Sequence, residues 1–343
     1  MRLFGKEKTQ NRMKSKNNEK VQNNEKLNNN EKLNNKEKLN NNENAQGNVK
    51  IQGKESQRGD ILVNKWHSVY TFHLLFEDTV KMPELSVFLE ALRTRFGEIL
   101  PMSDTPHMPE SASDMMGFGL MDHPVCFKDK KQEYPSQLLL FGADAFERGI
   151  WNEMICSQFW TCQDKEHFLP RCRYAMMASN MMAAGLPRME EYGILAEYAD
   201  MLLEVFPDCI GIYWPHSQCL TPREYYQQPH WNNPQYHFLD GGLNVRFFNI
   251  QGTDEMLFDT LGFTAIGLPD LQVHCKNLEP NDVVHFLRNL GAYLYECGDV
   301  IEDGNTVEGI HHEKWVCRRE DSMVGPGRMV LDVNPGEYAG GNR

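Results

Sequence analysis

The chain has 343 residues, of which 41% are hydrophobic and 24% are charged, and its formal net charge is −13 at pH 7. This composition is typical of a globular protein with one large domain or two smaller ones. The acidic balance argues against a general binder of nucleic acids or anionic membrane surfaces, and no segment has the roughly 18 uninterrupted apolar residues of a membrane-spanning helix. We therefore expect neither a nucleic acid nor a membrane as partner.

Residues 1–60 form a segment of their own, which we call the repeat tail. Five hexapeptides follow one another in register: NNEKVQ (17–22), NNEKLN (23–28), NNEKLN (29–34), NKEKLN (35–40) and NNENAQ (41–46). A spacing of six turns an α-helix by about 600°, so the single apolar residue of each repeat forms no stripe. Segments so rich in Asn, Lys and Glu bury too little apolar surface to offset the entropy of ordering. The sequence therefore predicts a disordered tail.

The charge is divided unequally between the repeat tail and the rest of the chain. Residues 1–59 carry 14 Lys or Arg side chains and 7 Glu side chains. The remaining 284 residues carry 21 basic and 41 acidic side chains, a net charge of −20. Solubility is one explanation for such an excess, and recognition of a basic partner is the other.

Strand and helix patterns alternate from the end of the repeat tail to about residue 235. The clearest helices are at 83–96, which ends before Gly97, and at 189–206, which ends before Pro207. A third helix is predicted at 145–160, and TPRE (221–224) has the pattern of a capping box that starts a fourth. Strands are predicted at 69–76, 116–121, 125–128, 137–142 and 209–214.

The C-terminal part is richer in strands. These are predicted at 243–250, 256–263, 271–275, 314–318 and 329–333, and DG (303–304) predicts a two-residue hairpin turn between strands at 300–302 and 305–307. The helix predicted at 281–297 places Leu287, Leu290 and Leu294 on one face. We expect this face to pack against the strands that contain Val273 and Val316.

This mixture of hairpins and amphipathic helices predicts an α+β fold, with a largely antiparallel mixed sheet and packed helices. We place the repeat tail at 1–60, one α+β lobe at 61–235 and a second at 236–343. The polar segment 227–234 lies next to the expected boundary.

Three segments of the C-terminal half resemble a known family. They are TLGFTAIGLPDLQVH (260–274), AYLYECGDVIEDGNTVEG (292–309) and KWVCRRE (314–320). Over about residues 255–339 the chain resembles the bacterial domain-of-unknown-function 4261 family. The resemblance implies a bacterial, intracellular protein and supplies no catalytic or ligand residues. Nine cysteines in a long chain also fit reduced thiols in the cytoplasm.

The most metal-like spacing is formed by Cys156, Cys162, His167 and Cys172. Its second half matches a zinc knuckle, but the first gap is too long and the turn glycines are missing. We favour separate core or surface thiols and expect no metal. We also expect no cofactor, because the chain after the repeat tail contains no phosphate-binding or dinucleotide-binding glycine motif.

His216 and Cys219 follow a predicted buried strand, a position where active-site residues often collect. An imidazole next to a thiol is able to activate it as a nucleophile. The other interpretation is a tight connection into the next helix. An enzyme of unrecognised type with a site near these two residues is therefore the alternative function.

Asp299, Glu302 and Asp303 surround the predicted hairpin turn and lack the ligand order of an EF-hand calcium loop. We expect them to lie in solvent and to contact a basic protein partner. The function that the sequence favours is a non-catalytic protein-binding module, immunity-like or regulatory.

The repeat tail leads to a first prediction. Because it offers no apolar face to the core, removal of residues 1–55 is expected to shift the melting temperature by less than a few degrees. The measurement is a thermal melt of the full chain and of the truncated chain under the same conditions. A larger loss would show that the tail packs on the rest of the protein.

Overall fold

The computed structural model describes residues 69–102, 115–126 and 132–341. The disorder that we expect for the repeat tail lies outside these residues. Within them the protein has two β-sheets and seven α-helices, which confirms the predicted α+β class.

The first sheet contains eight strands, and every pair in it is antiparallel. Its order is β2-β3-β4-β6-β1-β7-β8, with the short β5 paired to β6. The strands are β1 (Thr71–Phe76), β2 (Ile99–Pro101), β3 (Met115–Cys126), β4 (Glu133–Phe141), β5 (Asp144–Ala145), β6 (Tyr174–Met181), β7 (Gly211–Trp214) and β8 (Cys219–Pro222).

The second sheet contains six strands in the order β12-β13-β14-β11-β10-β9. Four of its five pairs are antiparallel, and β11 and β14 run parallel. The strands are β9 (Asn244–Asn249), β10 (Met256–Leu261), β11 (Asp270–Cys275), β12 (Thr306–Glu308), β13 (Lys314–Asp321) and β14 (Met329–Asn334). The largely antiparallel arrangement that we expected is therefore confirmed.

Three helices are long and four are short. The helices are α1 (Leu85–Phe96), α2 (Glu153–Ser157), α3 (Lys165–Phe168), α4 (Arg188–Val205), α5 (Arg223–Tyr226), α6 (Leu239–Gly242) and α7 (Pro280–Cys297). None of the helices in the described residues is long and apolar enough to cross a membrane.

The two sheets share one hydrophobic core. Phe72 and Trp214 of the first sheet belong to the same cluster of buried side chains as Phe258 and Leu331 of the second. Both sheets also lie within one compact unit of the chain, Ile61–Arg343. The boundary that we place at residue 235 stays a prediction.

The helix predicted at 145–160 is wrong. A short strand, a 3-10 turn at Arg148–Ile150 and the five-residue α2 replace it. The Asn152 side chain accepts a hydrogen bond from the backbone N–H of Ile155 at 2.9 Å, so the helix begins only there. The apolar residues of this segment pack around Tyr213, on the face of the first sheet that points away from the main core.

The fourth helix is present as α5, Arg223–Tyr226, but the capping box at Thr221 is wrong, because Thr221 belongs to β8. Its hydroxyl donates to the Ile212 carbonyl oxygen at 3.1 Å and accepts from the Trp214 indole N–H at 3.2 Å. Both partners lie on the neighbouring strand β7, so the side chain joins two strands and caps no helix.

The two-residue turn at 303–304 is confirmed, but the strand predicted before it is wrong. Asn305 N–H donates to the Glu302 carbonyl oxygen at 3.0 Å, and Gly304 has the positive φ of 84° that favours glycine. The segment before the turn has no strand partner. Instead, the Arg319 side chain donates to the Ile301 carbonyl oxygen at 3.0 Å.

The predicted inner face of α7 is confirmed. Leu287, Leu290 and Leu294 are all buried. On β13 the buried side chain is Trp315, one residue before the predicted Val316, which is only half-buried. The Phe286 ring lies 4.7 Å from the Trp315 ring, which places α7 against this strand.

This packing leads to a second prediction. Leu287→Ala is expected to lower the free energy of unfolding by about 2–5 kcal/mol, since it removes apolar contacts and leaves a cavity. The same truncation at Leu85, which is 37% exposed, is expected to cost about 0.5 kcal/mol or less. Urea denaturation of both variants measures the difference. Equal losses would contradict the assignment of α7's inner face.

Candidate functional site

A buried network of two arginines and two aspartates lies in the second sheet. Arg246 on β9 stands directly opposite Asp259 on β10. Its guanidinium donates two hydrogen bonds to that carboxylate, Nε–Oδ1 at 2.8 Å and Nη2–Oδ2 at 2.5 Å. Both side chains are at most 1% exposed. This bidentate geometry gives the strongest kind of protein ion pair.

Arg328 extends this ion network to the next strand. Its guanidinium donates to Asp259 Oδ2 at 2.8 Å and to Asp270 Oδ2 at 3.0 Å. The Asp270 carboxylate also accepts from the backbone N–H of Phe263 at 3.1 Å and from the Thr264 hydroxyl at 2.8 Å. Burial raises the pKa of Asp270 while Arg328 opposes that shift. With two charges of each sign, the network is neutral.

The ion network also holds the loop that leads into β14. Arg246 Nη1 donates to the Gly325 carbonyl oxygen at 3.0 Å, and Arg328 Nη1 donates to the Pro326 carbonyl oxygen at 2.8 Å. Most of the donors and acceptors in the network therefore have partners within the protein. We assign it a structural role.

A second buried carboxylate, that of Asp240, lies where α6 meets the first sheet. Two glycines follow it in the sequence, and the first of them is needed for close packing. A Cβ on Gly241 would lie only 2.0 Å from the Trp214 ring. The Gly241 carbonyl oxygen accepts a hydrogen bond from the Ser217 hydroxyl at 2.5 Å. These contacts fix the position of Asp240 at the junction of the two sheets.

Three side chains contact the fully buried Asp240 carboxylate, and a fourth, that of Asp200, contacts one of them; we call these five residues the Asp240 cluster. Oδ1 accepts from the Trp231 indole N–H at 2.9 Å and lies 3.5 Å from Arg288 Nη2. Oδ2 lies 3.1 Å from His237 Nδ1, and His237 Nε2 lies 3.3 Å from Asp200 Oδ1. Helices α4, α6 and α7 and the connection after α5 thus contribute to one cluster.

The charge state of His237 limits the chemistry of this cluster. Burial disfavours the charged ring, but the hydrogen bonds to Asp200 and Asp240 outweigh it and raise the pKa of His237 to about 9. The ring is therefore protonated at neutral pH. It serves as an ion-pair partner of two carboxylates and is unsuited to the role of general base.

A cavity lies on each side of the Asp240 cluster. One, of about 290 Å³, is lined by α4 and by the segment from Gln227 to His237. The other, of about 280 Å³, is lined by α7, by β9 and by Trp160 and Tyr225. Asp240 lines both. Clefts with a few converging polar groups are where small ligands bind in most proteins.

His216 lies in the turn between β7 and β8, and Cys219 is the first residue of β8, but their side chains have other partners. The His216 ring packs 4.6 Å from the Tyr70 ring, and burial lowers its pKa. The Cys219 thiol contacts the Asp240 carbonyl oxygen at 3.9 Å, and burial raises its pKa to about 12. An activated thiol needs the opposite shift. The catalytic assignment stays a prediction that these contacts do not support.

Of the residues with zinc-like spacing, the three cysteines belong to or pack against one apolar cluster, and His167 does not. Cys162 and Cys172 are buried, and burial raises the pKa of their thiols to about 11 and about 12. His167 is 83% exposed and bonds Asp164 at 2.7 Å. In the part of the chain that the structure describes, no three His, Cys, Asp or Glu side chains are arranged to hold a metal ion.

The three acidic residues around the turn at 303–304 differ in their contacts. We call residues 299–303 the acidic turn. Asp299 forms an ion pair with Arg319, and the Asp303 carboxylate accepts the backbone N–H of Arg319 at 2.7 Å. Glu302 is exposed. Their assignment as a partner-binding surface stays a prediction.

Sequence reasoning did not identify the Asp240 cluster. Its members come from four segments between residues 200 and 288, and no spacing rule joins them. One signal was present in the sequence, because YYQQPHWNNPQYHF (225–238) is unusually rich in aromatic residues, histidine and amides. Such a composition is uncommon in a plain linker between domains.

Comparison with known families agrees with the sequence analysis. The family model described as domain of unknown function (DUF4261) matches residues 259–334, which confirms the expected resemblance. No curated protein and no solved structure gives a significant match.

The residues that the family model matches include Asp259, Asp270 and Arg328 of the ion network and Gly262, whose φ is 124°. A Cβ there would lie 2.1 Å from the Gly242 carbonyl oxygen.

The raised pKa of His237 leads to a third prediction, on stability against pH. Because the pKa of His237 is raised in the folded state, its charged ring stabilises the fold fully at pH values below the unfolded-state pKa of about 6.5. This stabilisation is lost as the pH rises through about 9. His237→Gln is therefore expected to lower the free energy of unfolding by about 2–3 kcal/mol more at about pH 6 than at about pH 10.

The measurement is urea denaturation of the native protein and the variant at both pH values. His285→Gln, at an exposed position of α7, is the matched control and is expected to change stability equally at both. If His237→Gln also has the same effect at both pH values, the ion pairing of His237 is contradicted.

Proposed function

We propose that the chain is a non-catalytic protein-binding module, immunity-like or regulatory, whose partner is a basic protein. The observation that carries the proposal is the charge of residues 60–343, which have 41 acidic and 21 basic side chains. All nine cysteines are free, which supports a reducing compartment such as the bacterial cytoplasm as the place where it acts.

Burial removes little of this acidic excess. In the described residues the buried charged side chains are Glu191, Asp240, Arg246, Asp259, Asp270 and Asp332. Most carboxylates therefore lie at the surface, where they repel one another. A basic partner relieves this repulsion and is attracted over a Debye length of about 8–10 Å.

The acidic turn is the contact surface that we propose. Glu302 is exposed there, and the neighbouring Val300 is 49% exposed although it is apolar. Protein interfaces combine an apolar centre with a polar rim, and Val300 beside the carboxylates offers both kinds of surface. Arg319 compensates Asp299, so the charges of Glu302 and Asp303 are the ones available to a partner.

The surroundings of Cys219 and of His237 argue against catalysis by either group. A catalytic cysteine needs a thiolate at neutral pH, and burial keeps the Cys219 thiol protonated. The His237 ring is already engaged by two carboxylates. Neither group is therefore available to start a reaction.

The fourth prediction tests this proposal by association kinetics. A partner isolated from the native host with the full chain as bait is expected to be basic. Its association rate constant should fall as salt rises, because exposed charges steer the encounter. Glu302→Gln is expected to lower that rate about two- to fivefold at low salt and to change the dissociation rate less.

Glu302→Gln alone tests the effect of charge without changing the local structure, because Asp299 and Asp303 also hold Arg319 in place. Replacing all three carboxylates by amides is expected to lower the association rate further. Glu166→Gln, an exposed site on α3, is the matched control and should leave it unchanged. A neutral or acidic partner, or an association rate indifferent to salt and to Glu302, would overturn the proposal.

A further inference from the structure

We propose that the cleft between α7 and β9 binds a small organic acid with a flat apolar body. This cleft, which we call the α7 cleft, is the cavity of about 280 Å³ beside the Asp240 cluster. The proposal is independent of the basic protein partner, since it concerns a different surface and a different chemistry.

One face of α7 forms a wall of the α7 cleft. Asn281, Val284 and Arg288 are spaced by three and four residues, so they lie on one side of the helix. All three line the cleft. The wall thus presents an amide, an apolar side chain and a cation in order along two turns.

The opposite side of the α7 cleft is aromatic and apolar. Val245 and Phe247 of β9 line it, and both remain half-buried, so they have surface left to cover. Trp160 stands at the rim with 53% of its surface exposed. The Phe247 ring already stacks on Phe258 at 4.8 Å, and the aromatic surface that remains exposed favours a planar apolar ligand, which gains from burial and edge or offset contacts.

Arg288 supplies the polar recognition. Its guanidinium stacks over the Trp231 ring at 4.4 Å, which fixes its plane. Its nearest carboxylate oxygen, Asp240 Oδ1, lies 3.5 Å away, longer than the roughly 2.7–2.9 Å of a charge-assisted hydrogen bond. A guanidinium has five N–H donors. One of them bonds the Tyr225 hydroxyl, and the remaining donors are available to an acid group in the cleft.

The charges around Arg288 favour an anion over a cation. Asp240 is the nearest negative group, and both of its oxygens already contact Trp231 or the protonated His237. A second cation, Lys165, lies 5.6 Å from the centre of the Trp160 ring at the rim. An incoming carboxylate meets the Arg288 guanidinium and one carboxylate that is already engaged, and Lys165 adds positive charge beside Trp160.

The size and lining of the α7 cleft together define the ligand class. A volume of about 280 Å³ is at the small end of ligand sites and suits one or two fused rings. The acid group would be bound by Arg288 in the bidentate manner that arginine favours. The ring system would lie between Val284 and Phe247.

The fifth prediction uses two probes that differ only in the acid group. 2-Naphthoate carries a carboxylate, and 2-naphthamide is its neutral counterpart of nearly equal shape. Calorimetric titration of the full chain is expected to show that the acid binds at least about tenfold more tightly, because only the acid forms charge-assisted bonds with Arg288.

Two variants separate the two halves of the site. Arg288→Gln is expected to reduce the preference for the acid to about twofold or less, whereas Val284→Phe should weaken both probes by filling the cleft. Val87→Phe, at a position of α1 that is 55% exposed, is the control and should change neither. Thermal melts establish that each variant is folded.

Three results would overturn the inference. They are the absence of binding by 2-naphthoate, equal affinity for the acid and the amide, and binding that neither Arg288→Gln nor Val284→Phe alters. None of these results bears on the basic protein partner, which is tested by association with a different surface.

Discussion

The buried ion network of Arg246, Asp259, Asp270 and Arg328 is the interaction on which the second sheet depends. It links three strands and the loop before β14 through charge-assisted hydrogen bonds. Placing four charges in the core is costly, and each remains tolerable only while its partners are present. Removing a single partner of such a pair costs about 3–5 kcal/mol in proteins generally. Three of the four residues, Asp259, Asp270 and Arg328, lie in the segment that matches the family model.

The Asp240 cluster, at the junction of the two sheets, is a second group of charges that depend on one another as partners. Asp200 and Asp240 are balanced by the His237 ring and the Arg288 guanidinium, so this group is also neutral. Because the interior is balanced in both places, the acidic excess of the sequence is a property of the surface. The proposed partner binding depends on that excess, and the proposed ligand site depends on Arg288, whose donors are only partly used.

The long helices and most strands could be predicted from the sequence because each has one buried face with a regular period. Helix α7 is the clearest case, with Leu287 and Leu294 on its inner face. Errors arose where a side chain formed a local hydrogen bond that periodicity does not reveal, as at Asn152 and Thr221. The Asp240 cluster was beyond prediction, since its charges attract one another only after distant segments have folded together.

The parallel pairing of β11 and β14 has a consequence for the order in which the protein is made. Strand β14 lies in the middle of the second sheet, between β11 and β13, yet it is the last of the described strands to leave the ribosome. Until β14 is made, β13 and β11 each have one edge without a neighbouring strand. Arg328, just before β14, is made at the same time, so until then Asp270 lacks its counter-ion and Asp259 is paired with Arg246 alone. Nascent chains therefore expose unpaired strand edges late in translation, when they are most open to aggregation or to a chaperone.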